Sequence, residues 1–158
     1  MRNQRQFVEG LTEFPKDPAA QKKFKFLLKR YVVKNDLNFS RVKQKLLRRI
    51  DIVPKELVLM QAANESGWGT SRFALEANNL FGQWCFKKGC GVVPRGRPEG
   101  KKYEVRKFNH PIDSIRSYFN NINTGHGYVE LRNIREQLRA KNKKLDAQQL
   151  AEGLIMYS

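Results

Sequence analysis

The chain has 158 residues, and its 40% hydrophobic and 11% aromatic content excludes a disordered or collagen-like protein. Its 31 lysine and arginine residues against 15 acidic residues give a formal net charge of +16, which favours a polyanionic partner such as nucleic acid, an acidic membrane face or an anionic wall polymer. No membrane span is expected, because apolar runs such as Leu57–Met60 are far shorter than the roughly 20 residues that a spanning helix needs.

The first third of the chain is predicted to be helical. Asp17 and Pro18 are typical of a helix start, with a capping residue followed by proline at the first helical position. The apolar residues after them recur at helical spacing and predict one buried face, formed by Phe24, Leu27, Leu28 and Tyr31. After a break at residues 35–38, a second amphipathic helix shows the same pattern at Phe39, Val42, Leu46 and Ile50.

A third helix is predicted from Lys55 to about Ser66, opened by Pro54. Because its sequence is apolar nearly all round, we expect it to be buried. Gly67 is placed where a left-handed residue would end the helix. A short fourth helix is expected to begin after Thr70 or Ser71 and to stop at residues 78–79.

Residues 80–108 are rich in glycine and proline and break the helical pattern. Two β-prone pieces, Gly91–Val93 and Tyr103–Val105, flank the turn-rich stretch Pro94–Gly100 and predict a β-hairpin with a long tip. The fold class is therefore predicted to be α+β, mostly helical, with one small β-hairpin lobe.

Helices are predicted again after residue 110. One begins at Pro111 and is expected to bury a stripe formed by Ile112, Ile115, Phe119 and Ile122. A second carries an apolar face of Leu131, Ile134 and Leu138. Asp146 would cap the last helix, whose apolar face is Leu150, Leu154 and Tyr157.

The only two cysteines, Cys85 and Cys90, have no histidine nearby and make a poor zinc site. A local disulfide, which would favour an exported protein, and a pair of buried free thiols explain their spacing equally well. Nothing in the sequence indicates a metal or another cofactor.

Glu65 is the candidate catalytic residue. It lies in the last turn of the third predicted helix, where burial, the negative end of the helix dipole and the apolar ring of Trp68 would all favour a protonated carboxyl group. A carboxyl that holds its proton near neutral pH is what general acid catalysis requires. The alternative is a buried glutamate that is paired with an arginine of another helix.

Aromatic and amide side chains cluster around Glu65 in the sequence. Sugars bind proteins by stacking on flat aromatic faces and by hydrogen bonds to amides. For any single aromatic residue here core packing is the simpler interpretation, but the set around one acid favours a carbohydrate cleft. The aromatic members are Trp68, Phe81, Trp84 and Tyr103, and the amide members are Asn64, Asn79 and Gln83.

Two segments, QAANESGWGTSRFA and NNLFGQW, resemble the bacterial N-acetylglucosaminidases of glycoside hydrolase family seventy-three, and within them the Bax-type proteins. The resemblance runs from about residue 50 to residue 158. It implies a lysozyme-like fold that cleaves β-1,4 bonds after N-acetylglucosamine in peptidoglycan. It also implies a helical N-terminal extension over residues 1–50 and a glucosaminidase domain over 51–158 that is truncated at its C-terminus.

The resemblance implies roles for individual residues. Glu65 would be the general acid, and Tyr128 would be a cleft tyrosine that orients the substrate or steadies developing charge. Tyr157 resembles the start of a family motif that normally continues into a cleft loop. Together with the aromatic and amide set, His126 is a candidate for the cleft because it lies two residues before Tyr128, although a loop histidine with no role explains it equally well. The predicted substrate-binding residues are therefore Asn64, Trp68, Asn79, Phe81, Gln83, Trp84, Tyr103, His126 and Tyr157.

The second carboxylate is predicted less directly, because the position where the family often places it is near Val92 or Val93. Glu104 on the second predicted strand is the best substitute as a base, and Glu99 at the hairpin tip is the next. One alternative is that no second protein carboxylate is needed, because the substrate's own N-acetyl oxygen attacks. For Glu104 itself, an ion pair with Arg106 or a neighbouring lysine is the structural alternative.

Three functions remain open at this point. A peptidoglycan hydrolase is favoured, with the glycan strand as its partner, no nucleic acid or cofactor, a monomeric state, and a cell-envelope location (periplasm or surface) after removal of an export signal. A non-catalytic wall-binding domain with the same cleft is the alternative. A nucleic-acid-binding module is supported only by charge and by the basic helix face at residues 41–49, without a recognisable motif.

Overall fold

The computed structural model describes residues 1–36 and 38–155 of the chain. The elements in chain order are α1 (Arg2–Glu9), α2 (Pro18–Arg30), α3 (Phe39–Arg49), α4 (Lys55–Ser66), α5 (Arg72–Ala77), β1 (Trp84–Cys85), β2 (Gly91–Val92), β3 (Glu104–Arg106), α6 (Pro111–Thr124), a 3₁₀ turn (His126–Tyr128), α7 (Val129–Ala140) and α8 (Ala147–Ile155). The fold is thus α+β and mostly helical. Among the described residues, no helix is both long enough and apolar enough to cross a membrane.

The chain forms two compact units. The first unit contains Met1–Pro54 and Asn120–Ser158, and the second contains Lys55–Phe119. The boundary at residue 50 stays a prediction about where the catalytic domain begins.

The first unit confirms the two predicted N-terminal helices. The Asp17 carboxylate accepts a hydrogen bond from the backbone N–H of Ala20 and caps α2, with Pro18 at the first helical position. The predicted stripe of α2 is buried, and so is that of α3 except for the partly buried Phe39. Leu27, Leu46 and Ile50 have no exposed surface. Helix α1 was not predicted, and its Val8 completes this core.

A buried carboxylate, Asp51, organises the charges of the first unit. Arg139 donates to both of its oxygens, at 3.0 and 2.8 Å, and Arg5 lies 3.4 Å away. Arg135 is 1% exposed and donates to the carbonyl oxygens of Arg48, Asp51 and Ile52. Burial alone would raise the pKa of Asp51, but the Arg139 hydrogen bonds and the charges of Arg135 and Arg5 outweigh it and lower that pKa.

Helix α4 of the second unit has the predicted bounds, but the prediction that it is buried all round is wrong. Leu57 is buried, whereas Leu59 and Met60 are 67% and 59% exposed. Uniform apolarity gives no periodic signal, so it does not reveal which face a neighbouring element covers.

The β-hairpin is confirmed, and it carries a third strand. β2 and β3 pair antiparallel with Val92 opposite Val105, and β1 pairs with the other edge of β3 with Trp84 opposite Val105. The order is therefore β1-β3-β2. The pattern could not predict β1, because two residues are too few to show alternation.

Helix α6 begins at Pro111 as predicted, but its predicted stripe is fully buried only at Ile122. Ser114, Tyr118 and Ile122 are buried, while Ile112 of the predicted stripe is 44% exposed. The Ser114 hydroxyl has a partner in this buried position, because it accepts a hydrogen bond from Leu80 N–H. A polar residue with a partner can therefore occupy a core position that hydrophobic periodicity leaves out.

Gly91→Ala is expected to lower the free energy of unfolding by about 2 kcal/mol or more, because overpacking at a site that cannot relax is costly. A methyl group on Gly91 would lie 1.9 Å from the carbonyl oxygen of Val105, which is backbone of the central strand. Gly96→Ala is the matched control, since a methyl group there meets no atom within 4 Å. Urea unfolding measures both variants, and equal stabilities would contradict the close packing of β2 on β3.

Candidate active site

The candidate acid, Glu65, lies in the last turn of α4 and is exposed. A methyl group on Gly82 would lie 3.6 Å from Glu65 Oε2, so the backbone of Gly82 borders the carboxylate. The fold therefore brings together the two segments that carry the sequence resemblance. Because Glu65 is exposed, the expectation that it is buried is wrong, and so is the alternative of a buried glutamate paired with an arginine.

The turn after α4 has an unusual backbone. Gly67, Trp68 and Gly69 follow one another with positive φ angles of 56°, 58° and 80°. Ser66 supports this turn, because its hydroxyl accepts from Gly69 N–H and donates to the Ala62 carbonyl. The Trp68 ring is 84% exposed, so packing does not explain its place in a left-handed conformation that disfavours non-glycine residues. Strain of this kind is concentrated at functional sites, where the surrounding structure maintains it.

The loop that borders Glu65 is held from inside by Asn79. Its side-chain amide donates to the carbonyls of Gln83 and Arg106, and its oxygen accepts from Phe81 N–H and Gln83 N–H. Gln83 in turn donates to the Ser114 carbonyl. Asn79 and Gln83 are 1% and 8% exposed, so their side chains support the loop from the interior.

The four predicted aromatic residues have different surroundings. Phe81 is buried and stacks on Tyr118, with ring centroids 4.0 Å apart. Trp84 is 51% exposed and meets the half-buried Tyr103 edge to face at 4.8 Å. Trp68, Trp84 and Tyr103 thus retain surface that a ligand can reach, and so does the exposed amide of Asn64. Phe86, which was not among the predicted site residues, is 78% exposed.

Glu104 is placed differently from a catalytic base. Its side chain is buried, and its two oxygens accept hydrogen bonds from Gly89 N–H at 2.9 Å and Gly91 N–H at 2.8 Å. These backbone hydrogen bonds, helped by the charge of Arg97, hold the pKa of Glu104 below its ordinary value. The geometry favours a structural role for this carboxylate. Glu99, the second candidate, is exposed near the hairpin tip.

Cys85 and Cys90 form a disulfide with their Cα atoms 6.2 Å apart, as the first of the two interpretations predicted. The sulfur atoms of Cys85 and Cys90 and one carboxylate oxygen of Glu104 lie within 4.8 Å of one another, so their distances would fit a metal site. Since both sulfurs are bonded to each other, the group lacks the thiolates that bind zinc.

The remaining predicted residues belong to the first unit or lie outside the description. Tyr128 is half-buried in the 3₁₀ turn, where a methyl group on Gly125 would lie 3.3 Å from its ring. His126 in the same turn is exposed. Tyr157 lies outside the described residues.

Comparison with known proteins agrees with the motifs. Residues 41–155 match the glucosaminidase family, described as mannosyl-glycoprotein endo-beta-N-acetylglucosaminidase. The chain is 37% identical over 142 residues to Protein bax of Escherichia coli (strain K12), a match that covers 89% of this chain and 50% of that protein. The chain thus spans about half the length of this curated relative, and no solved structure matches it. The extent of the family match shows that the chain belongs to the mannosyl-glycoprotein endo-beta-N-acetylglucosaminidase family.

Proposed function

We propose that the protein is a peptidoglycan hydrolase that cleaves β-1,4 glycosidic bonds after N-acetylglucosamine, with Glu65 as its general acid. The observation that carries the proposal is the exposed carboxylate of Glu65, bordered by Gly82 in a chain of the glucosaminidase family. Family membership supports glycan hydrolysis in general. The choice of peptidoglycan and of Glu65 is ours.

The proposed reaction begins with a proton on Glu65. A glycan strand lying over the exposed carboxyl would displace water from it, and desolvation favours the neutral form that can donate a proton. Glu65 would then protonate the glycosidic oxygen as the bond to the sugar breaks, through a transition state with oxocarbenium character. Trp68, Trp84 and Asn64 would offer the sugar rings aromatic faces and an amide at this surface.

The attacking group in this proposal is the oxygen of the substrate's own N-acetyl group, which bonds to the anomeric carbon as the glycosidic bond breaks. A water molecule then opens the resulting oxazoline and supplies the hydroxyl group of the new reducing end. Glu104 is poorly suited to activate water, because both of its carboxylate oxygens are engaged by backbone N–H groups. Substrate assistance needs no second protein carboxylate. Tyr128 is proposed from the family resemblance as the residue that orients this N-acetyl group.

The proposal includes a lysozyme-like fold and a location in the cell envelope. A disulfide persists in oxidising compartments, which supports an exported protein. The net charge of +16 would retain the enzyme on an anionic wall.

Incubation with purified peptidoglycan sacculi tests this function. We expect turbidity to fall and soluble muropeptides to appear. Binding to sacculi without any soluble product would instead identify a non-catalytic wall-binding domain, a candidate that the exposed Trp68 and Trp84 also support. Salt-sensitive binding to duplex nucleic acid without hydrolysis would favour the third function.

Trp68→Asn is expected to lower the activity on sacculi about tenfold while leaving the free energy of unfolding unchanged or raising it by about 1 kcal/mol. Asparagine tolerates the left-handed conformation better than tryptophan, and little buried surface is lost because the ring is 84% exposed. Hydrolysis rates and urea unfolding of the same preparation check both parts. A large loss of stability would contradict the view that Trp68 is retained for binding.

A further inference from the structure

Two aromatic side chains lie exposed on either side of Cys85. Trp84 is 51% exposed and Phe86 is 78% exposed. Trp84 belongs to β1, and Phe86 follows β1 directly. Single exposed apolar residues are common on protein surfaces, whereas two large exposed rings two residues apart on one segment are a candidate for ligand binding.

The segment that carries these rings is anchored at several points. The Cys85–Cys90 disulfide closes it, and β1 pairs with β3 through Cys85 opposite Glu104. The Glu104 carboxylate then accepts from Gly89 N–H and Gly91 N–H at the far end of the closed loop. A ligand that binds the two rings therefore has less loop entropy to remove than it would on a mobile segment.

The segment that carries the two rings begins close to the candidate acid. The backbone of Gly82 borders the Glu65 carboxylate, and Trp84 is only two residues further along the chain. Consecutive Cα atoms are about 3.8 Å apart, so the Cα atoms of Gly82 and Trp84 are separated by at most about 8 Å. A chain of sugar rings bound at Glu65 can therefore extend onto Trp84 and Phe86.

The charge beside the rings fits the same occupant. Lys87 and Lys88 follow Phe86 directly and are both exposed. A peptidoglycan strand offers apolar pyranose faces together with carboxylates on its peptide stems, so it matches both the rings and the ammonium groups.

We propose that Trp84 and Phe86 form a stacking subsite for a sugar ring of the glycan strand, and that Glu104 is the positioning residue that holds this subsite in place. The inference rests on the proposed function, since it takes the glycan strand as the ligand. It assigns Glu104 a role in substrate binding instead of proton transfer.

The subsite is tested by binding alone, in a Glu65→Gln background in which hydrolysis is expected to be at least about 100-fold slower. Isothermal titration with a β-1,4-linked N-acetylglucosamine hexamer should show that Phe86→Ala and Trp84→Ala each raise Kd about five- to tenfold. Phe26→Ala, an aromatic 54% exposed on α2, is the matched control and should not change Kd. Unchanged Kd values for both subsite variants would overturn the proposal, whether or not the wild-type protein proves to be a hydrolase.

The role of Glu104 is tested by the kinetics of Glu104→Gln on soluble peptidoglycan strands. A positioning residue predicts a KM raised about five- to tenfold with kcat kept within about twofold. It also predicts that the double variant Glu104→Gln/Phe86→Ala has nearly the same KM as Glu104→Gln, because the first substitution already displaces the subsite. A kcat lowered by about a hundredfold or more at unchanged KM would identify a base and overturn the positioning role.

The disulfide offers an independent perturbation if Glu104→Gln does not fold. Cys85→Ser/Cys90→Ser, or reduction of the wild-type protein by a phosphine, releases the same loop from its other anchor. Either is expected to raise Kd for the hexamer about as much as Phe86→Ala does. A Kd that is unchanged after the loop is released would contradict the claim that its fixation forms the subsite.

Discussion

Glu65→Gln is expected to lower the rate of sacculus hydrolysis by about 10²- to 10⁴-fold, the usual contribution of a general acid. Glutamine keeps the shape of the side chain but has no carboxyl proton to donate to the glycosidic oxygen. Because Glu65 is exposed, the free energy of unfolding should change by less than about 0.5 kcal/mol. Release of soluble muropeptides and urea unfolding give the two measurements.

Glu56→Gln is the matched control for this variant. Glu56 is an exposed glutamate in the first turn of the same helix, so the substitution makes the same chemical change at the opposite end of α4. Its hydrolysis rate should remain that of the wild-type protein. A wild-type rate in Glu65→Gln would exclude Glu65 from the mechanism. A similar loss of rate in both variants would show that the loss of a negative charge on α4 causes the effect.

Asp51→Asn is expected to lower the free energy of unfolding by about 3 kcal/mol, because removing one partner of a buried ion pair leaves the other charges without compensation. Asp51 is 3% exposed, and the substitution would leave Arg139 and the buried Arg135 without their carboxylate. Asp113→Asn breaks a surface pair with Arg116 and should cost less than about 1 kcal/mol. Similar losses in the two variants would contradict the central role of Asp51.

The contribution of Asp51 should also depend on pH. Its pKa is lower in the folded protein than its ordinary value of about 3.9, so the folded state favours the charged form. The stabilisation is therefore complete above about pH 4 and is lost as the pH falls through the folded pKa. The unfolding free energies of the wild type and of Asp51→Asn should converge below pH 4. A difference between them that stays constant as the pH falls would show that packing, and not charge, causes the lower stability of the variant.

Local signals in the sequence predicted most helix boundaries. Asp17, Ser71 and Asp146 cap the helices that were expected from them. A cap is predictable because the side-chain oxygen and the backbone N–H that donates to it lie within four residues of each other. The exposed face of α4 and the buried Ser114 of α6 were not predictable. Both depend on which distant element covers the helix, and a pattern within the helix does not contain that information.

The sequence predicted which residues form the candidate site better than it predicted what those residues contact. Glu65 and the Gly82 loop were identified from the motifs, and the structure brings them together. The buried positions of Asn79 and Glu104 were not predicted, because their partners are backbone groups, which no residue type reveals. The signal for the exposed Phe86 was its spacing of two residues from Trp84 across a cysteine.

The most direct test of the central claim is the identity of the sugar at the new reducing end. Sacculi digested by the wild-type protein and by Glu65→Gln would be reduced with borohydride and analysed by mass spectrometry. We expect reduced N-acetylglucosamine at the new ends in the wild-type digest and almost none with the variant. Reduced N-acetylmuramic acid at the ends, or equal yields from both proteins, would contradict the proposed cleavage and the role of Glu65.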